Sequence, residues 1–314
     1  MAGNGALNVV LGAGPVGRAV VDRLRVRDCA VRVVTRSGIA QFPPGVEVRQ
    51  ANVGDPGLLA RACDGATVVY GCVGVENTRW LERWPLMMEG MLAGTAAVGA
   101  RFVFVDNLYM YGPTDEVLTE DLPLTTYGRT PATCARLTRM WHEAHRAGSV
   151  QVAALRVSDF YGPGVTRSVL GEQTLGRIAQ GKSVKWVGGI DQAHSVSYVP
   201  DVARALVSIG EADDEAMGQA WHVPNAPDRT PRQLLQLFAE IANQTLTLSA
   251  RSAVLLNLTG LVSPAMREFK EMHYRWNRPF RVDAAKFGRR FWTDATPFDV
   301  GMRATADWYR RRVS

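Results

Sequence analysis

The sequence predicts an α/β fold, a doubly wound parallel sheet with a smaller C-terminal lobe, and three observations carry the prediction. Apolar strand-like runs recur at Leu7 to Leu11, Ala30 to Thr35, Glu47 to Gln50, Thr67 to Tyr70, Arg101 to Val105 and Gln151 to Val157. Helical patterns lie between most of them, notably Leu58 to Cys63, Trp84 to Ala97 and Ala132 to Ala147. A glycine-rich turn joins the first run to an amphipathic stretch, Arg18 to Arg25. Strand and helix in alternation imply a parallel sheet covered on both faces, with ligands beyond the C-terminal ends of its strands.

The turn contains Gly12, Gly14 and Gly17, spelled Gly-Ala-Gly-Pro-Val-Gly with Pro15 and Val16 before the last glycine. Glycine lets the backbone turn sharply and lets a pyrophosphate approach, while the unpaired N–H groups and positive dipole end of the following helix hold the charge. A strand before this turn, and a second strand about twenty residues later, make it a Rossmann dinucleotide fingerprint. The second strand ends in Thr35-Arg36-Ser37, where a carboxylate would receive a ribose 2′-hydroxyl. Arg36 offers a fork of donors to a 2′-phosphate instead, and no Asp or Glu follows before Glu47, so NADP(H) is favoured over NAD(H).

Composition narrows the class. A chain of 314 residues, 46% apolar and 21% charged, can bury a full-sized core and belongs with soluble globular proteins. The net charge of +6 is scattered among acids, with Arg310 to Arg312 the only dense run, so a nucleic-acid partner is not expected. Cys29, Cys63, Cys72 and Cys134 show neither Cys-x-x-Cys spacing nor nearby His partners, which predicts no metal and no disulfide framework. They read as small core residues in a reducing cytoplasm. Met1 leads directly into the first strand without a signal-like segment, and the longest apolar stretch, Ala253 to Val262, is too short to span a bilayer. It reads as a buried helix; a cytoplasmic protein without a membrane partner is the expectation.

After about Tyr161 the regular alternation fades. Residues 1–162 are expected to form the dinucleotide-binding domain, with 193–225 returning to it, and residues 163–192 and 226–314 the substrate-binding lobe. Ser195 to Val199 is strand-like and Asp201 is placed to cap the helix that follows. His142 and His145 read as surface residues, Tyr109 as a packing aromatic, and Asp106 as a turn former with an acid–base role as the lesser reading.

These segments together resemble the extended short-chain dehydrogenase/reductases, the NAD(P)-dependent epimerase/dehydratase family, over nearly the whole length. The resemblance rests on the glycine turn, on Val68 to Val73 with its Tyr70-Gly71-Cys72-Val73, and on Phe102 to Gly112 with its Tyr109-Met110-Tyr111-Gly112. It continues in Leu155 to Gly164, in Tyr198 to Ala205, and in Thr296 to Tyr309. It implies cofactor contacts at Asn52 and Val53, Gly71 and Val73, Tyr127, and Val157. Asn52 stands where relatives carry an Asp that touches adenine. Relatives often dimerise through paired helices, so a homodimer is possible.

The same resemblance implies a Ser or Thr, a Tyr, and a Lys four residues after the Tyr. Tyr127 matches the tyrosine, Asn107 stands at the Ser/Thr position and Pro131 at the lysine. Thr130 is expected to cap a helix starting at Pro131, leaving Tyr127 in the entering loop. A tyrosine of ordinary acidity is about one part in a thousand phenolate at neutral pH, a cost of roughly 4 kcal/mol for a step that needs a base. Reducing a carbonyl uses the neutral phenol as an acid and escapes that cost. The expected activity is therefore NADPH-dependent reduction of a small carbonyl substrate, with Tyr127 as acid and Asn107 polarising the carbonyl. A non-catalytic NADP(H)-binding sensor and a sugar-nucleotide epimerase or dehydratase are the alternatives.

Overall fold

The computed structural model describes residues 6–74, 80–186, 188–250 and 271–313. The chain forms two compact units, one of residues 1–110, 124–156 and 202–221, the other of 111–123, 157–201 and 222–314. The Ala253 to Val262 stretch lies outside the described residues, as does part of the sequence just before Glu271.

In the first unit the predicted strands form β1 (Leu7–Leu11), β2 (Ala30–Thr35), β3 (Val46–Gln50), β4 (Ala66–Gly71), β5 (Arg101–Asp106) and β6 (Val152–Arg156). They pair in parallel, and with a short strand Ala220–His222 beside β6 the sheet runs from that strand through β6, β5, β4, β1 and β2 to β3. Strands β1 to β3 step outward in one direction and β4 to β6 in the other. The reversal between β1 and β4 is the switch point at which such sheets open a crevice for ligands. The three-residue strand Ala220–His222 is too short to carry a period and was not anticipated.

Helices α1 (Pro15–Arg25), α2 (Pro56–Cys63), α3 (Trp80–Ala96) and α4 (Thr130–Arg146) cover this sheet together with the helix Val199–Gly210, whose Gly210 lies against Tyr70 of β4. Asp55 caps α2 by accepting from the Leu58 N–H at 2.9 Å. Gly90 and Gly94 let α3 lie close to its neighbours, since a Cβ at Gly90 would fall 2.3 Å from the Val53 carbonyl oxygen and one at Gly94 2.9 Å from the Leu59 Cβ. The core under α3 and α4 centres on Val9, Leu11, Val69, Phe102, Phe104 and Trp141, with Phe102 and Phe104 stacked at 5.2 Å. Arg32 is buried in β2, and its guanidinium reaches Glu47 at 2.6 Å and the Ala62 and Asp64 carbonyls.

The second unit has its own core around Tyr161, Leu175, Val184, Leu235, Phe238, Met302 and Tyr309. Its helix Pro231–Ala242 opens with a capping box between Thr230 and Gln233, ends at left-handed Asn243, and packs on the C-terminal helix Phe298–Val313. Asp201 falls inside the first turn of the helix Val199–Gly210 and not ahead of it. Its carboxylate accepts from the N–H and the hydroxyl of Thr296 at 2.8 and 2.9 Å, so it ties down the segment before the C-terminal helix. Among the described residues no helix is long and apolar enough to cross a membrane.

Candidate active site

The glycine turn follows directly from the end of β1. Gly12 donates to the Val34 carbonyl at 2.9 Å and takes φ of 102°, a region open to glycine. A side chain there would meet the Cys72 carbonyl oxygen at 2.9 Å, and one at Gly17 would fall 2.0 Å from the Gly12 oxygen. Those two glycines therefore close the turn on itself. Gly14 differs: it is exposed, and a Cβ built on it meets nothing within 4 Å. It is also the N-cap of α1, with no side chain capping the helix. Helix α1 begins at Pro15, three residues before the amphipathic pattern, because proline fits the first turn, where its missing N–H is not needed. The first-turn N–H groups and the open side of Gly14 together form a cradle of backbone donors at a helix N-terminus, the kind of place where anions bind.

Arg18, one turn into α1, has a role that its place at the head of the amphipathic stretch does not announce. Its guanidinium donates to the Ala13 carbonyl at 3.1 Å and the Gln41 carbonyl at 2.9 Å, and lies 4.9 Å from the centre of the Phe42 ring. It thereby fastens the loop after β2 to the glycine turn. The signal was a cation following the third glycine. Arg36 is exposed on that loop, and its carbonyl accepts from Gln50 at 3.2 Å. Asn52, also exposed, uses its side-chain oxygen to accept from the Gly54 N–H at 3.2 Å, which leaves its NH2 group to donate. Val53 beside it is buried.

At the opposite half of the sheet, β5 and β6 end in a buried polar cluster. Asp106 pairs in register with Arg156, and the Asp106 Oδ2 lies 3.8 Å from the Arg156 Nε with their side chains 10% and 2% exposed. The Asp106 Oδ1 accepts from the Asn107 N–H at 2.9 Å. Burial pushes the Asp106 carboxyl up to about 6, and the guanidinium offsets this only in part. Asp106 is thus an ionisable group walled into the strand end, and the expectation of a simple turn former is corrected. The cause is Arg156, which arrives from fifty residues away and makes burial of the carboxyl tolerable.

Asn107 spends its side-chain oxygen on the Tyr109 N–H at 2.8 Å, and its side chain also hydrogen-bonds Cys134 of α4. Burial raises the Cys134 thiol well above its ordinary value, so it stays neutral. What Asn107 can still offer a ligand is an amide N–H donor. Tyr127 lies in the loop entering α4 and is 42% exposed. Its backbone N–H donates to the Thr125 hydroxyl at 3.0 Å. Thr130 is not the helix cap: Gly128, at φ of 60°, turns the chain early, so α4 starts at Thr130 with Arg129 before it. Pro131 is buried in that first turn and brings no cation.

The remaining predicted positions divide. Gly71 is required by packing, since its Cβ would fall 2.7 Å from the Phe104 Cβ, while half-buried Val73 sets its Cγ1 against the glycine turn. Val157 directly follows β6 and is buried. His142 stacks on Trp141 at 3.6 Å and His145 lies against Gly218, so both are half-buried and not surface residues as expected. All four cysteines are free thiols.

The sequence matches the profile of the NAD dependent epimerase/dehydratase family over residues 9–223. It is 22% identical over 230 residues to dTDP-glucose 4,6-dehydratase 1 of Escherichia coli (strain K12), a match that covers 67% of this chain and 58% of that relative. Among solved structures it is similar to UDP-glucose 4-epimerase from Thermotoga maritima, determined with UDP-glucose, at a TM-score of 0.80 and 16% identity, covering 98% of this chain and 100% of that one. A UDP-glucose 4-epimerase from Thermus thermophilus in complex with NAD gives a TM-score of 0.76 at 18% identity, with 97% and 99% covered. At such identities the structural likeness speaks for the fold.

Proposed function

The chain belongs to the NAD dependent epimerase/dehydratase family, and from that premise we propose that it is an NADP(H)-dependent oxidoreductase that reduces a small carbonyl substrate. The observation that carries the cofactor half of this reading is the cradle beside Gly14, an uncapped helix N-terminus with open space where a side chain would be. Arg36, exposed at the end of β2 with no acidic residue on its loop, supports the phosphorylated form of the cofactor.

The direction of the reaction follows from Pro131. Oxidation of an alcohol needs a base, and α4 presents a buried proline where the resemblance implies a lysine. Reduction asks less. A reduced nicotinamide, when bound, would supply the hydride for the carbonyl carbon; Tyr127 would give its phenolic proton to the carbonyl oxygen, and the Asn107 amide would donate to that oxygen as charge develops. Tyr127, on a loop and partly exposed, is reprotonated from solvent.

The similar proteins named above favour a second reading, sugar-nucleotide epimerisation or dehydration. Titrating NADPH and NADH against the protein tests the cofactor, and NADPH is expected to bind more tightly. A carbonyl panel with NADPH, run beside UDP- and dTDP-hexoses followed by NMR, separates the two reactions. Turnover of the panel that is lost in Tyr127→Phe supports reduction. Conversion of a sugar nucleotide without net cofactor consumption replaces it with the second reading, and tight NADPH binding with no turnover on either set indicates a sensor.

A further inference from the structure

Two exposed guanidiniums border the loop that follows β2, and among the described residues neither is paired with an acid. Arg36 opens the loop; only its carbonyl is engaged, by the Gln50 amide, and its side chain has no partner there. Arg18 reaches the same loop from α1, and Asp22, the acid one turn further along that helix, is not paired with it. The sequence has no Asp or Glu between Asp28 and Glu47, and the Glu47 carboxylate is spent on Arg32 and Arg49. A segment flanked by two cations without a counter-charge favours an anion.

What sets Arg18 apart is that it is exposed and yet fixed. Its Nε donates to the Ala13 carbonyl at 3.1 Å, its Nη1 to the Gln41 carbonyl at 2.9 Å, and its guanidinium carbon lies 4.9 Å from the centre of the Phe42 ring. Among the described residues Nη2, with its two N–H groups, is left to donate. A long surface side chain normally gives up rotamer freedom when it binds a ligand; here that freedom is already surrendered. The two carbonyls also say where the charge stands. Ala13 is inside the glycine turn, and Gln41 lies five residues beyond Arg36 on the loop. Among the described residues the Arg18 bond to Gln41 is the one hydrogen bond that ties residues 39–42 to another element. The guanidinium therefore bridges the turn and the loop. In a doubly wound sheet the adenine ribose lies between those two segments, with its diphosphate at the turn and its 2′ position at the end of β2.

We propose that Arg18 is a specificity-determining residue, the second cation of a 2′-phosphate site that it forms with Arg36. This rests on the cofactor reading above and adds to it the residue that completes the charge balance. A phosphate monoester carries about two negative charges at neutral pH, and Arg36 alone balances one of them. Arg18 balances the other, from a position set by Ala13, Gln41 and Phe42 before the cofactor arrives. NADH carries a neutral hydroxyl at that place and gains little from either charge, so the contribution of Arg18 falls on the phosphorylated form.

The test is the ratio of Kd for NADH to Kd for NADPH, measured by fluorescence titration of the wild type, Arg18→Gln, Arg18→Lys and Arg36→Gln, with folding followed by circular dichroism. Contacts common to the two cofactors cancel in this ratio. Arg18→Gln is expected to lower it by about tenfold or more, the scale of one charge-assisted hydrogen bond, through weaker NADPH binding with little change for NADH. Arg36→Gln is expected to lower it as well. Arg18→Lys keeps a positive charge and is expected to retain more of the ratio than Arg18→Gln does. An Arg18→Gln protein that loses affinity for both cofactors equally shows that Arg18 only holds the loop, and overturns the proposal. A ratio unchanged in Arg18→Gln overturns it too, as does an Arg18→Lys protein whose ratio falls as far as that of Arg18→Gln. Should Arg18→Gln not fold, Arg18→Met, which keeps an unbranched apolar stem, makes the same comparison. A wild type that binds NADH as tightly as NADPH, or binds neither, overturns the cofactor reading itself, a different result from discrimination that survives the loss of Arg18.

Discussion

The Tyr111 hydroxyl and the His222 Nε2 are hydrogen-bonded at 2.7 Å, while the other ring nitrogen, Nδ1, donates to the Asp283 carbonyl at 2.9 Å. Both residues are buried, with their rings edge to face at 5.6 Å. Tyr111→Phe keeps the ring and removes the hydroxyl, so a buried hydrogen bond is lost. A loss of about 1–2 kcal/mol is expected in urea unfolding at neutral pH. A value near zero would mean that the hydrogen bond adds nothing to stability.

Asp159 governs acid sensitivity in the second unit. Burial alone would raise its carboxyl, but Arg275 at 3.1 Å and His194 at 3.0 Å outweigh burial and hold it down at about 2. A depressed carboxyl stabilises the fold above its unfolded value and loses that stabilisation as pH falls through the folded one. The window is therefore about pH 4 to pH 2, and the contribution is on the order of 2 kcal/mol. Asp159→Asn is expected to cost about 3 kcal/mol at neutral pH by removing the buried carboxylate that Arg275 and His194 share, and to remove the slope in that acid window. Urea midpoints measured across the acid range check both.

Asp106 works in the opposite sense. Its carboxyl is raised by burial to about 6, so its contribution is fully present below the unfolded value near 4 and is lost as pH rises through 6. Stability should decline across about pH 4 to pH 6 by on the order of 2 kcal/mol from this group. In Asp106→Asn that decline should vanish. Chemical unfolding of the two proteins at matched pH values would contradict this if the slopes coincide.

Much of the first unit was legible because its signals are local. The six apolar runs became β1 to β6 with ends displaced by two residues at most, and the glycine turn lies where strand, turn and helix were read. What escaped was decided at a distance. Asp106 reads as a turn former before an acid–base group because nothing next to it in sequence announces Arg156, which the β5–β6 register brings alongside. Arg32, a charge in the middle of an apolar strand, is explained by Glu47 across the β2–β3 pair. Three-residue strands such as Asp159–Tyr161 and Val184–Trp186 hold too few residues to alternate visibly, and pairing alone defines them, whereas Val196–Tyr198 lies within the strand-like Ser195 to Val199. At the site, the sequence showed which residue types were present at 107, 127 and 131. It did not show that the oxygen of Asn107 is already used by Tyr109.

The glycine turn allows the binding and folding roles of its residues to be separated. At Gly17 an added methyl would collide with the Gly12 carbonyl at 2.0 Å, backbone that cannot retreat without opening the turn, so Gly17→Ala should lower stability and cofactor affinity together. At Gly14 the backbone is extended, φ −73° and ψ −177°, a conformation that alanine adopts freely, and among the described residues no atom beyond its chain neighbours lies within 4 Å of the new methyl. Gly14→Ala should therefore fold with a Tm within about 2 °C of the wild type, since surface changes without new contacts stay within about 0.5 kcal/mol. Its methyl nevertheless occupies the face through which a diphosphate must approach the first-turn N–H groups, so NADPH affinity should fall by about tenfold or more. Thermal unfolding and NADPH titration of the two variants side by side make the comparison. A Gly14→Ala protein that binds as tightly as the wild type would remove Gly14 from the cradle and leave the diphosphate to be held elsewhere.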